Sequence, residues 1–225
     1  MGMRANSCCL ILIKHKVLRY KMKSLNKLLV VSIATLFSIA ANANLLTNGS
    51  FEDNTLNSGS WGLFNQSNVN GWQGESIELW NNLNGLAAFD GTNLTELNSN
   101  RNGGVSHTLF QTFTTTTNGI FSLDFAYRAR SNSNEAFKVD IFSTNGNVFS
   151  QIFDDHTKGQ WSTFSGDFTA NDATSTIMFT SIAPLSSVGN LIDNVIIDSK
   201  QVSAPATILI TLLAAPVLLM RRLRK

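Results

Sequence analysis

The chain is 225 residues long, and its 17 basic against 15 acidic residues make it look near-neutral only while both ends are counted. Residues 1–43 carry seven Lys and Arg and no acid, and the last five residues carry four more, which leaves six basic against fifteen acidic side chains in residues 44–200. A segment with a net charge of −9 repels phosphate backbones, which argues against a nucleic-acid partner.

At the front, Lys23 and Lys27 precede the apolar run Leu28 to Ala41, and Ala41-Asn42-Ala43 supplies a small-x-small cleavage pattern. Residues 22–43 therefore read as a signal peptide with a helical apolar stretch, and Asn44 as the mature N-terminus. Residues 1–21 push the charged region far from the terminus and read as a mis-assigned extension upstream of a start at Met22. The alternative is a long charged leader. Both cysteines, Cys8 and Cys9, lie in that extension. The segment downstream has no thiol for a disulfide or a cysteine-ligated zinc.

Between residues 44 and 200 the pattern is that of strands. Strands are expected around Ile77–Trp80 and Thr108–Phe113. Phe121, Leu123, Phe125 and Tyr127 then alternate with Ser122, Asp124 and Ala126, the period of a half-buried strand. Phe137, Val139 and Ile141 repeat it, and further strands are expected at Val148–Phe153, Trp161–Phe168, Thr176–Ser181 and Leu191–Ile197. Turn pairs separate them: Asn70-Gly71, Asp90-Gly91, Asn118-Gly119, Asn145-Gly146, Lys158-Gly159 and Gly189-Asn190. No sustained helical period, repeat or linker interrupts the run. The expected fold is all-β, one antiparallel β-sandwich of jelly-roll type over residues 44–200.

Residues 201–225 form a different kind of segment. Ile208 to Met220 is apolar, contains Pro216, and is followed by Arg221-Arg222-Leu223-Arg224-Lys225. As a helix of about 1.5 Å per residue it reaches roughly 20 Å, short of the roughly 30 Å hydrocarbon core. The basic cluster keeps its own side cytoplasmic and leaves the domain outside. A short span of this kind suits transient membrane association through residues 208–220, followed by cleavage. A permanent anchor in a thinned bilayer is the alternative.

Catalytic signatures are missing. There is no Gly-x-Ser-x-Gly elbow, no His-Glu-x-x-His and no phosphate-cradling glycine loop. Of the two histidines in the segment, His156 follows Asp154-Asp155 and reads as part of a solvated charge cluster, and His107 reads as a surface residue. Glu75 and Glu78 alone do not argue for glycosidase chemistry in so acidic a segment. The expectation is a protein that is not an enzyme.

The tail, with Val202-Ser203-Ala204-Pro205-Ala206-Thr207 ahead of the apolar stretch and the arginine-rich end, resembles the sorting signal of bacterial exosortase substrates, the PEP-CTERM class. The usual Glu of that motif is absent. The resemblance implies a processing protease at the inner membrane of a Gram-negative bacterium, and a mature protein at the cell surface or in the exopolysaccharide matrix. The domain resembles galactose-binding-like jelly-roll carbohydrate-binding modules. The likeness is carried by Asn48-Gly49-Ser50-Phe51-Glu52 at its start and Ile192-Asp193-Asn194-Val195 at its end, which in that family lie on neighbouring strands. Glu75 to Trp80, Asp90 to Asn98 and Phe125 to Arg130 look like segments of exported jelly-roll proteins with this kind of tail. The resemblance implies a structural calcium held by Glu52 and Asp193. The plainer reading makes Glu52 a solvated edge residue and Asp193 a turn acceptor.

A sugar site needs an exposed aromatic face for pyranose C–H surfaces and planar polar groups for the hydroxyls. The tryptophans are Trp61, Trp72, Trp80 and Trp161, of which Trp80 and Trp61 are set among Asn, Ser and Gly and are the expected platforms. Glu78, Tyr127, Arg128 and Arg130 are the expected polar partners, and Trp161 reads as a core residue at a strand start. The expected role is non-catalytic polysaccharide binding. A polysaccharide-cleaving jelly roll and a protein-binding adhesive surface protein are the alternatives.

Overall fold

The computed structural model describes residues 43–99, 106–131 and 134–200; the expected signal peptide, upstream extension and sorting tail lie outside the described residues. Ten strands follow in chain order: β1 (Ser60–Phe64), β2 (Ile77–Asn81), β3 (Asn93–Glu96), β4 (Thr108–Thr114), β5 (Ile120–Arg128), β6 (Ala136–Ser143), β7 (Gly146–Phe153), β8 (Ser162–Thr169), β9 (Thr174–Ala183) and β10 (Leu191–Ser199). Eight fall where alternation and turn residues place them. β1 and β3 are additional, and neither carries a clear signal. β1 is a short edge strand containing Gly62, and β3 has four residues that are all buried, so it shows no alternation.

The strands pair antiparallel in two sheets, one ordered β1-β2-β3-β10-β5-β8 and the other β4-β9-β6-β7. From β3 onward every connection except the β6–β7 hairpin crosses between the sheets. That winding makes the sandwich a jelly roll, as the sequence pattern predicts. The inward residues of β5 meet those of β6 and β9 between the sheets. Phe125 is central there, with ring centroids 5.1 Å from Phe153, 5.3 Å from Phe164 and 5.5 Å from Phe179. On β10 a bulge between Asp193 and Ile196, with Asn194 at φ 50°, shifts the register. The shift turns Ile192, Val195 and Ile197 all into the core despite their uneven spacing.

The two ends of the domain do lie together. The Leu45 N–H donates to the Ile197 carbonyl at 2.7 Å, and the Val195 N–H donates to the Gly49 carbonyl at 3.0 Å. The Asn44 amide brackets the same stretch, donating to the Val195 carbonyl and accepting from the Ile197 N–H. A Cβ on Gly49 would stand 2.1 Å from the Val195 oxygen, so the approach needs glycine. Immediately after this seam, Phe51 stacks on Trp72 at 5.3 Å, and the Trp72 Nε1–H donates to the Asn48 carbonyl at 2.9 Å.

Candidate functional site

Side chains alternate along a strand, so residues of the six-stranded sheet that miss the sandwich core face outward. The register aligns them. Trp61 lies opposite Trp80 and Leu63 opposite Glu78; Glu78 lies opposite Glu96, Glu96 opposite Leu191, and Leu191 opposite Arg128. One row across this outer face thus carries two acids and one arginine. The chain between β2 and β3 returns over the face. There Leu83, Leu86 and Ala88, with Trp161, pack on Trp80, Leu94 and Leu191 as a second, small apolar cluster.

Two adjoining clefts open at the margin of that cover. The first, of about 320 Å³, is lined by Trp80, Leu83, Leu86, Arg128, Arg130 and Lys158 among others. The second, of about 270 Å³, includes Trp61, Glu78, Trp80, Asn84, Arg130 and Ser187. Trp80, Leu83, Asn84 and Arg130 belong to both. A larger hollow of about 520 Å³, with Gln66, Glu75 and Phe110 in its wall, has neither an indole nor a cation.

Arg130 organises the shared wall. Its Nη1 donates to both Glu96 oxygens at 2.7 Å, and its Cζ lies 4.5 Å from the centroid of the Trp80 ring. The Trp80 Nε1–H in turn donates to Glu78 Oε1 at 2.8 Å. Glu96 also accepts the Gly189 N–H at 2.7 Å. Burial pushes its carboxyl up to about 8, against the downward pull of the Arg130 and Gly189 hydrogen bonds. Behind the wall, buried Glu135 fixes the turn after β5 by accepting the Arg130, Ser131 and Asn190 N–H groups.

The expected site residues divide. Trp61, Glu78, Arg128 and Arg130 come together around the two clefts. Trp61 is 42 % exposed and can offer a ring face. Trp80 also lines both clefts, but at 2 % exposure, under Arg130 and the Leu83 cover, it is no open platform. Tyr127 does not join the site. Its parity on β5 turns it inward, where its ring meets Phe137 and Phe153 and its hydroxyl donates to Asp155 at 2.8 Å. Trp72 is core, whereas Trp161 is only half-buried, donating to the Ala87 carbonyl and lying edge-on to Phe89. Lys158, Asn84 and Glu96 belong to the clefts or their floor and carry no sequence signal of it, since no periodicity links a loop lysine to a strand arginine thirty positions earlier.

Neither histidine lies on the surface as expected. His107 is buried at the head of β4, where its N–H donates to Ser181 Oγ. His156 is 3 % exposed and meets the Tyr127 and Phe137 rings edge-on, and neither ring nitrogen has a hydrogen-bond partner. Burial holds its imidazole below the ordinary value.

Glu52 and Asp193 do share a task, but their donor set does not fit a calcium ion. Asp193 Oδ2 accepts the Phe89 and Asp90 N–H groups at 2.7 and 2.9 Å, and Oδ1 accepts the Asn194 N–H. Glu52 Oε1 accepts the Thr92 and Asn93 N–H groups at 2.8 and 2.6 Å, and Oε2 accepts the Thr92 hydroxyl. Every carboxylate oxygen thus faces a hydrogen-bond donor, where a hard cation requires free oxygens converging on it. No cluster of three His, Cys, Asp or Glu suited to a metal occurs among the described residues. The pair clamps the chain that leads into β3. Burial pushes the Asp193 carboxyl up to about 7, against those three N–H bonds.

Fold and site together define a jelly-roll domain with a two-part cleft on the outer face of its larger sheet. Residues 44–198 match the family described as "Protein of unknown function (DUF642)", and the chain belongs to that family. Among solved structures, its fold is similar to that of an arabinose-bound α-L-arabinofuranosidase, MgGH51, at 12 % identity and a TM-score of 0.50, with 70 % of this chain and 26 % of that chain covered. Similar too are TmCBM61 in complex with β-1,4-galactotriose, at 13 % identity, a TM-score of 0.47 and coverage of 70 % and 99 %; and a family 16 carbohydrate-binding module, at 18 %, 0.47, and 68 % and 99 %. What the likeness shows is the fold. No curated protein matches the chain.

Proposed function

We propose that this chain is an exported protein, sorted to the cell surface or extracellular matrix, that binds polysaccharide without cleaving it. The observation that carries the reading is an exposed indole, Trp61, at a cleft that also holds a carboxylate, an amide and a guanidinium from Glu78, Asn84 and Arg130. An indole accepts the C–H face of a pyranose, and planar polar groups grip the hydroxyls at its rim. Two adjoining clefts that share a wall suit successive rings of one chain rather than a lone small molecule. The export and sorting half of the proposal rests on the signal-like and tail-like ends of the sequence.

One observation favours cleavage. Glu78 and Glu96 lie opposite each other on neighbouring strands, and a carboxyl held near 8 is the kind that serves as a general acid. The Glu96 side chain, however, has no exposed surface and is capped by Arg130. A glycosidic oxygen has no path to it, so binding is the reading supported best.

The test is retention of the full-length protein, in a non-glycosidic detergent, on a panel of immobilised polysaccharides. Trp61→Ala should weaken that retention about tenfold, equivalent to about 1.4 kcal/mol of lost stacking. Unchanged retention would place the sugar elsewhere on the molecule. Release of reducing ends from the panel would overturn the non-catalytic reading.

A further inference from the structure

Three of the five basic side chains among the described residues are paired: Arg130 with Glu96, Lys138 with Asp140, and Lys200 with Asp167. The other two, Arg128 and Lys158, have no ion pair, and both line the first cleft. Arg128 ends the outward row of β5. Lys158 comes from the loop between β7 and β8, which a parallel bridge between Ala129 and Lys158 holds against the end of β5. With Arg130, they place three of the six cations of residues 44–200 around one opening, in a segment that carries fifteen acids. None of those acids is exposed in this cleft; Glu96 lies beneath it, bonded to Arg130.

The arrangement costs stability as it stands. The Arg128 Nε is buried and has no hydrogen-bond partner, and a desolvated charged donor left unpaired is among the more expensive groups in a fold. Like charges converging on one opening add repulsion. An anion seated in the cleft offsets that repulsion, because an oxyanion has the lone pairs that the terminal nitrogens of a guanidinium and an ammonium need.

We propose that the Arg128–Arg130–Lys158 cleft takes the anionic group of an acidic glycan, a uronate carboxylate or a sulfate ester, while the adjoining Trp61 cleft takes a ring of the same chain. This inference rests on the carbohydrate-binding reading above and narrows it to a substrate class. The acidic surface elsewhere opposes a polymer as densely charged as a nucleic acid, with roughly one charge every 1.7 Å of duplex, and favours one whose charges are spaced by sugar rings.

The experiment measures binding of the full-length protein in non-glycosidic detergent to polygalacturonate, alginate, dextran sulfate, neutral galactan, neutral arabinan and a single-stranded oligonucleotide. The protein should bind at least one acidic glycan more tightly than either neutral one, with affinity falling as salt is raised. The double variant Arg128→Gln, Lys158→Gln should lose about tenfold or more on that acidic glycan. It should lose less on any neutral glycan that the parent binds, and it should melt no lower than the parent. Polygalacturonate or alginate against dextran sulfate separates carboxylate from sulfate as the group held. Binding to neutral glycans alone overturns the acidic preference and leaves carbohydrate binding standing, whereas no binding to any glycan overturns both. Equal affinity for the oligonucleotide, or an unweakened double variant, also sinks the proposal.

Discussion

At the scale of single residues, the decisive side chain is Arg130, which does three things at once. It bonds both Glu96 oxygens, covers the Trp80 ring and walls both clefts. Arg130→Ala would remove the charge-assisted bonds and the cation–π contact together. Glu96 would retain the Gly189 N–H and can stay protonated, which limits the loss. The expected cost is about 2 kcal/mol of stability by chemical denaturation. A red shift of tryptophan emission should accompany it as Trp80 is uncovered. Arg130→Lys keeps the charge but loses the planar fork, so it should recover only part of the deficit. A variant as stable as the parent would mean that the contact contributes nothing in solution.

At the scale of elements, the sandwich was largely legible because its long strands alternate. Phe121 to Tyr127 on β5 and Phe137 to Ile141 on β6 each keep one apolar face, and Asn-Gly pairs mark their ends. β3 was not legible. Asn93-Leu94-Thr95-Glu96 is buried on both faces, the inner by the core and the outer by the returning chain, and burial on both sides erases the period. The same cover explains the error at Trp80. The segment from Asn82 to Thr92 looks like a polar Asn- and Gly-rich loop, and its apolar members Leu83, Leu86 and Ala88 have no period that announces a lid. The clefts were half legible, since Arg128 and Trp61 come from strands, whereas Arg130 lies in the turn after β5 and Lys158 arrives from a loop. The segment's far end is held by the two carboxylates expected to bind calcium. Asp193→Ala would strand three N–H groups and should cost about 2–3 kcal/mol, with faster amide exchange confined to residues near Phe89 and Asp90. Calcium or a chelator should leave the melting temperature of the parent unmoved. A rise of several degrees with calcium would restore the metal reading of Glu52 and Asp193.

At the scale of the whole molecule, the buried ionisable groups set how stability responds to pH, and their signs differ. Glu96 goes from an ordinary 4.5 to about 8 on folding, and Asp193 from 3.8 to about 7. Both therefore bind more protons in the folded than in the unfolded chain across those windows, so each lowers stability as pH rises through them. His156 lies below its ordinary 6.5, so the unfolded chain binds the extra proton and stability rises toward pH 6.5. The two trends oppose each other in mild acid and should flatten the profile there. Above pH 7 the histidine is neutral in both states and Asp193 has largely ionised, so Glu96 governs the remaining slope. Between pH 7 and 8 its folded form should give up about 1 kcal/mol, or about 3 °C in melting temperature for a domain of this size. Glu96→Gln carries no proton in either state and keeps an oxygen for Arg130, so its melting temperature should be nearly level over the same interval. Parallel melting curves of parent and variant across pH 7 to 8 would show that Glu96 ionises freely in the fold. A flat Glu96→Gln profile beside a falling parent profile would place a protonated carboxyl beneath Arg130.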